Sequence, residues 1–162
     1  MKVLIISDTH RNDVNLLRVL EKEKPVDLLV HCGDIEGSEK FIENTMECPV
    51  EMVVGNNDFF SSLPKEKEIM IGNYKVLLTH GHYYYVGNGN EMLKREAIAR
   101  GMDIVMYGHT HKPVIEVEKD VIAINPGSLT YPRQDGKNPS YIIMTIDENG
   151  MADFQLRFVN EG

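Results

Sequence analysis

The feature that most constrains this chain is where its apolar runs stop. Five short segments set Asp, His or Asn beside Gly or Thr at the end of an apolar stretch: Asp8-Thr9-His10, His31-Cys32-Gly33-Asp34, Gly55-Asn56-Asn57-Asp58, His80-Gly81-His82 and Gly108-His109-Thr110-His111. All six histidines fall in these segments. Imidazole, carboxylate and carboxamide groups gathered at strand ends are what a metal site on an α/β scaffold requires, because its ligands must converge from separate strands.

The intervening sequence supplies that scaffold. Val3 to Ser7 reads as a strand. Asp13 to Glu23 reads as a helix, with Val14, Leu16, Leu17 and Leu20 at helical spacing and Lys24-Pro25 as its stop. A second strand, Leu28 to Val30, ends at His31; Ser38 to Asn44 reads as a short helix with Phe41 and Ile42 inward; Val50 to Val54 makes a third strand. Alternation of this kind favours parallel pairing with functional loops at the carboxyl edge. Beyond Ser61 to Pro64 the pattern changes to a hairpin, Glu68 to Ile71 and Tyr74 to Thr79, turning at Gly72-Asn73. Glu91 to Arg100 has helical composition, with Met92, Leu93, Ile98 and Ala99 on the expected buried face and Gly101 as C-cap. After the strand Ile104 to Tyr107, the runs Pro113 to Val117, Val121 to Ile124, Tyr141 to Ile146 and Ala152 to Phe158 predict a second, more antiparallel sheet. The fold class is therefore α/β, a two-sheet β-sandwich flanked by helices.

With 162 residues and 42% hydrophobic content, one globular domain over residues 1–162 is expected to bury its own core. Met1-Lys2 leads into only four apolar residues before Ser7-Asp8, too short for a signal peptide, and no run reaches membrane-spanning length, so a cytoplasmic protein is expected. Cys32 and Cys48 lack C-x-x-C spacing and read as reduced thiols. A net charge of −8 excludes a general nucleic-acid-coating surface, which needs Lys and Arg. It does not exclude a phosphate substrate, because two dications outweigh two aspartates and a hydroxide.

Taken singly, each segment has an ordinary explanation. Asp8-x-His10 could cap a helix, Gly55 to Asp58 could be a turn, and any one histidine could be a satisfied core residue. Together they converge on one chemistry. A carboxylate such as Asp34, aimed by the preceding Gly33, can bridge two ions, and Asn56 can offer a neutral carboxamide oxygen that leaves the cations' charge high. No thiolate set, helical H-E-x-x-H or zinc-ribbon spacing competes.

The ordered series Asp8-Thr9-His10, Gly33-Asp34, Gly55-Asn56-Asn57-Asp58, Thr79-His80-Gly81-His82 and Gly108-His109-Thr110-His111 resembles that of the calcineurin-like metallophosphoesterases. The small size and the Asn125-Pro126-Gly127-Ser128 segment resemble the compact phosphodiesterase branch often called YfcE-like. The resemblance implies two divalent metal ions per chain, one held by Asp8, His10 and His111, the other by Asn56, His80 and His109, with Asp34 bridging both. Manganese is the first expectation; nickel, zinc or iron also suit these donors. A metal-bridging hydroxide would then attack phosphorus in line.

Many members of the family carry a histidine where this chain has Asn57, which can donate a hydrogen bond but not a proton at neutral pH. Asn57, Asp58 and His82 are the candidate catalytic residues. Asp58 is expected to orient either Asn57 or its loop, and His82 to contact substrate, support a ligand or serve structure. His31 is expected to be structural or to brace a ligand, and Arg11 and Lys112 to reach a phosphate or remain solvated. The expected function is hydrolysis of small phosphodiesters, with no general nucleic-acid binding, no membrane partner and room for a homodimer or larger homo-oligomer. The alternatives are a phosphomonoesterase and an interaction scaffold resembling a retromer subunit.

Overall fold

A computed structural model describes residues 1–161. Ten strands and three helices follow one another: β1 (Lys2–Ile6), α1 (Val14–Glu23), β2 (Leu28–His31), α2 (Glu39–Thr45), β3 (Val50–Met52), β4 (Glu66–Ile71), β5 (Tyr74–Thr79), α3 (Glu91–Ala99), β6 (Ile104–Met106), β7 (Pro113–Val117), β8 (Ile122–Pro126), β9 (Ser140–Ile146) and β10 (Ala152–Phe158). Two five-stranded sheets result, in the orders β10-β9-β1-β2-β3 and β4-β5-β6-β8-β7. Each contains a parallel triplet, β1-β2-β3 and β5-β6-β8, so both sheets carry loops at the carboxyl ends of parallel strands.

Side-chain alternation makes the layers. On β1, Val3 and Ile5 face the other sheet and pack with Val30, Val76, Leu78, Ile104 and Met106, while Leu4 and Ile6 turn to Leu16, Val19 and Ile42 of the helices. Leu77 and Val105 do the same on the far side, against Leu93 and Ala97 of α3. The expected sandwich with flanking helices is thus present. Cys32 and Cys48 are free thiols. No helix among the described residues is long and apolar enough to cross a membrane.

Two expectations change. The late strands do not form one antiparallel sheet: β7 and β8 complete the second sheet, but β9 and β10 return to the first, β9 lying antiparallel to β1. The buried helix faces also rotate. Leu16 and Val19 are buried in α1 while Val14 and Leu17 are exposed; Phe41 of α2 is exposed and Ile42 buried; in α3 Leu93, Lys94 and Ala97 are buried, and Met92, Ile98 and Ala99 face outward.

One polar knot spans these layers. Glu23, 2% exposed at the end of α1, accepts from Arg157 Nη1 (2.7 and 2.8 Å) and Tyr141 Oη (2.7 Å) and pairs with Lys2 Nζ at 2.9 Å. Burial pushes its carboxyl pKa up, but the bonds from Lys2, Tyr141 and Arg157 outweigh this and hold it at about 2. A depressed carboxyl pKa stabilises the fold above the unfolded value of 4.5 and ceases to do so as pH falls toward 2. Glu23→Gln should therefore cost roughly 3 kcal/mol at pH 7, and urea titrations of the two proteins should converge between pH 4.5 and 2.

Candidate metal centre

The ligand-type residues leave the strands in sharply turned backbone. Asp8, His10, Asp34, His109 and His111 all have positive φ, between 46° and 71°. For residues with a Cβ this left-handed conformation costs about 1–3 kcal/mol each and persists only where the surroundings enforce it. Here they do. The Asp8 N–H donates to Gly33 O (3.0 Å) and the His10 N–H to Asp34 O (2.9 Å), zipping the loop after β1 to the loop after β2. The Ser128 hydroxyl donates to Asp8 O at 2.8 Å, and Asn125 Nδ2 donates to Gly108 O at 3.1 Å, so the segment ending β8 fixes both neighbouring loops.

These turns bring all seven expected metal ligands to one place. Ligand atoms of Asp8, His10, Asp34 and His111 lie within 4.8 Å of one another. Asn56 Oδ1 lies 3.0 Å from both His80 Nε2 and His109 Nδ1. Asp34 Oδ2 stands between the groups, 3.8 Å from His10 Nε2 and 3.4 Å from His80 Nε2.

Hydrogen bonds on the outer ring nitrogens decide what the inner ones present. His10 Nδ1 faces Glu36 Oε1 at 3.2 Å, His80 Nδ1 faces Cys32 O at 2.8 Å and His111 Nδ1 faces Tyr131 O at 2.7 Å. Those acceptors fix the proton on Nδ1, and a neutral ring then aims its Nε2 lone pair inward. Inward, however, stand more acceptors. His111 Nε2 is 3.0 Å from Asp8 Oδ1 and 3.3 Å from His10 Nε2, and Asp8 Oδ1 is buried without a hydrogen-bond partner. Lone pairs facing lone pairs in a buried cluster demand a cation, and the donor set fits a divalent metal.

The protonation equilibria express the same demand. Burial pushes the Asp8 carboxyl up, but His10, His111 and His80 hold it far below the usual range. The neighbouring Asp8 carboxylate, with help from Glu36 and against burial, lifts His10 to about 9. The opposite holds for His31, which burial keeps near 3 and hence neutral. It accepts from the Gly33 N–H (3.1 Å) and donates from Nε2 to Thr9 Oγ1 (3.0 Å), bracing the turn that aims Asp34.

The three candidate catalytic residues fall in different places. Asp58 accepts four backbone N–H groups, from Gly55, Asp34, Ile35 and Glu36, at 2.6–2.9 Å. It orients its loop, not the Asn57 side chain. Asn57 donates to Asp34 through both its backbone N–H and its Nδ2, each at 2.9 Å, a partner unassigned in the sequence reading. The Asn57 Nδ2 is thereby turned to the expected bridging carboxylate, with one of its two hydrogens engaged there. Asn57→Ala should accordingly lower kcat by about 10–100-fold to the same extent for good and poor leaving groups, whereas a donor to the leaving group would make the loss steeper for poor ones. His82 lies at the rim, its ring 5.4 Å from His80 and 6.1 Å from His109, with a buried Nδ1 lacking a partner. Burial first, then the charges of His80 and His109, lower its pKa to about 4. It is a neutral imidazole beside the centre.

Sequence reasoning missed the bracing residues. The Ser7 hydroxyl donates to Asp8 Oδ2 at 2.5 Å, and Ser128, Glu36 and Tyr131 act as above. Only Asn125 to Ser128 carried a signal, as part of the motif series.

Comparison with known proteins accords with this geometry. The sequence profile of the calcineurin-like phosphoesterase superfamily domain matches residues 1–149. The probable metallophosphoesterase YsnB of Bacillus subtilis (strain 168) is 35% identical over 162 residues, spanning 99% of this chain and 92% of that one. The phosphodiesterase YfcE of Escherichia coli (strain K12) is 29% identical over 164 residues, spanning 86% and 84%. Among solved structures, wild-type Vps29 complexed with Zn2+ from Entamoeba histolytica has a TM-score of 0.77 at 25% identity, over 99% of this chain and all of that one. The chain belongs to the calcineurin-like phosphoesterase superfamily. Within it, the likeness extends to the phosphodiesterase YfcE over most of both chains.

Proposed function

We propose that this protein is a metal-dependent phosphodiesterase that holds two divalent ions, manganese first among them, and cleaves small phosphodiesters. Asp8, His10 and His111 would hold one ion, Asn56, His80 and His109 the other, and Asp34 both. When bound, the ions supply an activated water and neutralise charge on the phosphoryl oxygens. The chain's own residues do the rest. Asp58 and Asn57 keep the Asp34 carboxylate in place, the carbonyls of Cys32 and Tyr131 orient His80 and His111, and neutral His82 offers a ring nitrogen at the rim. The negative net charge of −8 favours small substrates over polynucleotides.

The observation that carries the diester reading is the shape around the cluster. Two clefts open from it. One, of about 810 Å³, is lined by His10 and Asn57, by Arg11 and Lys40 together with Glu36, Glu39 and Glu43, and by the exposed rings of Phe59 and Phe60. The other, of about 430 Å³, begins at His109. A diester has two organic arms and a monoester one, so two clefts beside one reaction centre suit the diester. The apolar rings of the larger cleft would suit an aryl or nucleobase arm.

The likeness to Vps29 keeps the scaffold as a second reading. That Vps29 is itself complexed with Zn2+, so turnover, and not the competent side chain at every ligand position, separates the two readings. Metal-stripped protein given Mn, Ni, Zn or Mg in turn should hydrolyse bis(p-nitrophenyl) phosphate faster than p-nitrophenyl phosphate. The reverse preference would make it a monoesterase, and two tightly bound ions with no turnover of either would favour the scaffold.

A further inference from the structure

The cleft that begins at His109 has an apolar floor of Val86, Tyr107 and Val114 and a rim bearing Lys112 and Arg133. Among the described residues, six of the 17 basic residues form ion pairs within 4.0 Å, namely Lys2, Lys24, Lys67, Lys94, Arg100 and Arg157, and Lys112 and Arg133 are among the eleven that do not. The acid lining the same cleft, Glu116, is already engaged by Lys94 Nζ at 3.0 Å and Asn90 Nδ2 at 3.3 Å.

Both cations are also held close to the centre by backbone. Lys112 follows the ligand His111 in sequence, and the Arg133 N–H donates to His111 O at 2.9 Å, while His111 Nδ1 donates to Tyr131 O two residues before Arg133. The loop carrying Arg133 is therefore clipped to the loop carrying Lys112. Two cations without an ion-pair partner, carried on loops clipped together on the wall of a concave site, offer charge-assisted contacts to an oxyanion.

We propose that this cleft receives a substrate arm bearing a second oxyanion, a phosphate or a carboxylate, beyond the scissile phosphodiester. The proposal rests on the phosphodiesterase reading of the neighbouring centre. The substrate class is a phosphodiester that is anionic at two places, with the second charge read by Lys112 and Arg133 and the intervening organic part lying over Val86, Tyr107 and Val114.

Calorimetry on the metal-replete protein tests this with thymidine 5′-monophosphate, thymidine 3′,5′-bisphosphate and the 3′-O-succinyl derivative of the monophosphate. The bisphosphate should bind about tenfold tighter than the monophosphate, and that gap should narrow with added salt. In Lys112→Ala/Arg133→Ala, or in the Gln pair, the gap should shrink to within about twofold, since each charge-assisted contact is lost. A succinyl derivative that matches the bisphosphate assigns the site to oxyanions generally; one that matches the monophosphate assigns it to phosphate. Equal affinities in the unaltered protein, or a gap that survives in both double variants, overturns the proposal. Hydrolysis of bis(p-nitrophenyl) phosphate by the same unaltered protein separates the two ideas: turnover without an affinity gap removes the anionic arm alone, and a gap without turnover removes the phosphodiesterase reading alone.

Discussion

Asp34→Asn should bind at most one of the two ions proposed above and lose about a thousandfold or more in activity, the larger of the effects expected from single substitutions at the candidate ligands. The reason is positional. Asp34 Oδ2 lies 3.8 Å from His10 and reaches the second group more closely than Asp8 Oδ1 does, 3.4 Å from His80 against 3.9 Å. Its other oxygen is committed to the Asn57 N–H at 2.9 Å. An amide in its place offers one neutral oxygen and turns an NH2 toward some of the atoms that the carboxylate served. Metal stoichiometry by mass spectrometry and hydrolysis of bis(p-nitrophenyl) phosphate should fall together. Full activity with two ions retained would remove Asp34 from the bridging role.

Thermal stability gives the same substitution a second readout. An ion that binds only the folded protein, at a thousandfold excess over its Kd, contributes about 4 kcal/mol. In a chain of this size that raises Tm by roughly 10 °C. Asp34→Asn should lose most of that metal-dependent rise. Its metal-free form should lose some stability as well, because burial raises the folded Asp34 carboxyl pKa but His80 and the Asn57 N–H outweigh this and hold it below its usual range.

The sequence made the centre legible because its chemistry is local: an Asp, His or Asn beside a Gly or Thr at a strand end is a contiguous signal. What was not legible is set by contacts from far along the chain. Val14 and Leu17 form an apolar stripe on α1 parallel to that of Leu16 and Val19, and periodicity cannot choose between two such stripes; the sheet beneath chooses. Lys94 is buried because Glu91, Glu116 and Glu118 all reach its Nζ at 2.8–3.0 Å, and two of these lie in or after β7. The return of β9 to the first sheet is likewise invisible in its own residues, since an apolar run records that a strand is buried and not which edge it joins. At the centre, the acceptors that fix each histidine's tautomer are mostly backbone carbonyls, which every residue possesses. The sequence therefore showed the candidate ligands and left out what aims them.

The aiming is most exposed to test at two glycines. A Cβ on Gly55 would overlap Asp34 Oδ1 and the Asp34 backbone nitrogen, and one on Gly108 would overlap the Ser7 hydroxyl and meet Asp8 Oδ2 at 2.7 Å. Neither has positive φ, so the requirement is for close approach of backbone to carboxylate and not for a left-handed turn. Each glycine thus lies against one of the two carboxylates of the centre, and a single methyl group cannot be accommodated by a flexible chain end, because the atoms it meets are short and hydrogen-bonded on both sides. Overpacking of this kind costs about 1–3 kcal/mol, which a chain with a core this continuous should survive folded. The ligand geometry should not survive: a displacement of about an ångström at a reacting centre costs on the order of a hundredfold in rate. Gly55→Ala and Gly108→Ala are therefore expected to retain their circular dichroism, unfold a few degrees lower, and lose about a hundredfold in activity with weakened metal binding. The measurement that separates this from general damage is the metal-dependent rise in Tm, which should shrink in both variants. A variant that unfolds lower yet keeps the whole metal-dependent rise and full turnover would show that the carboxylate tolerates the methyl group, and that the close approach at that glycine serves packing alone.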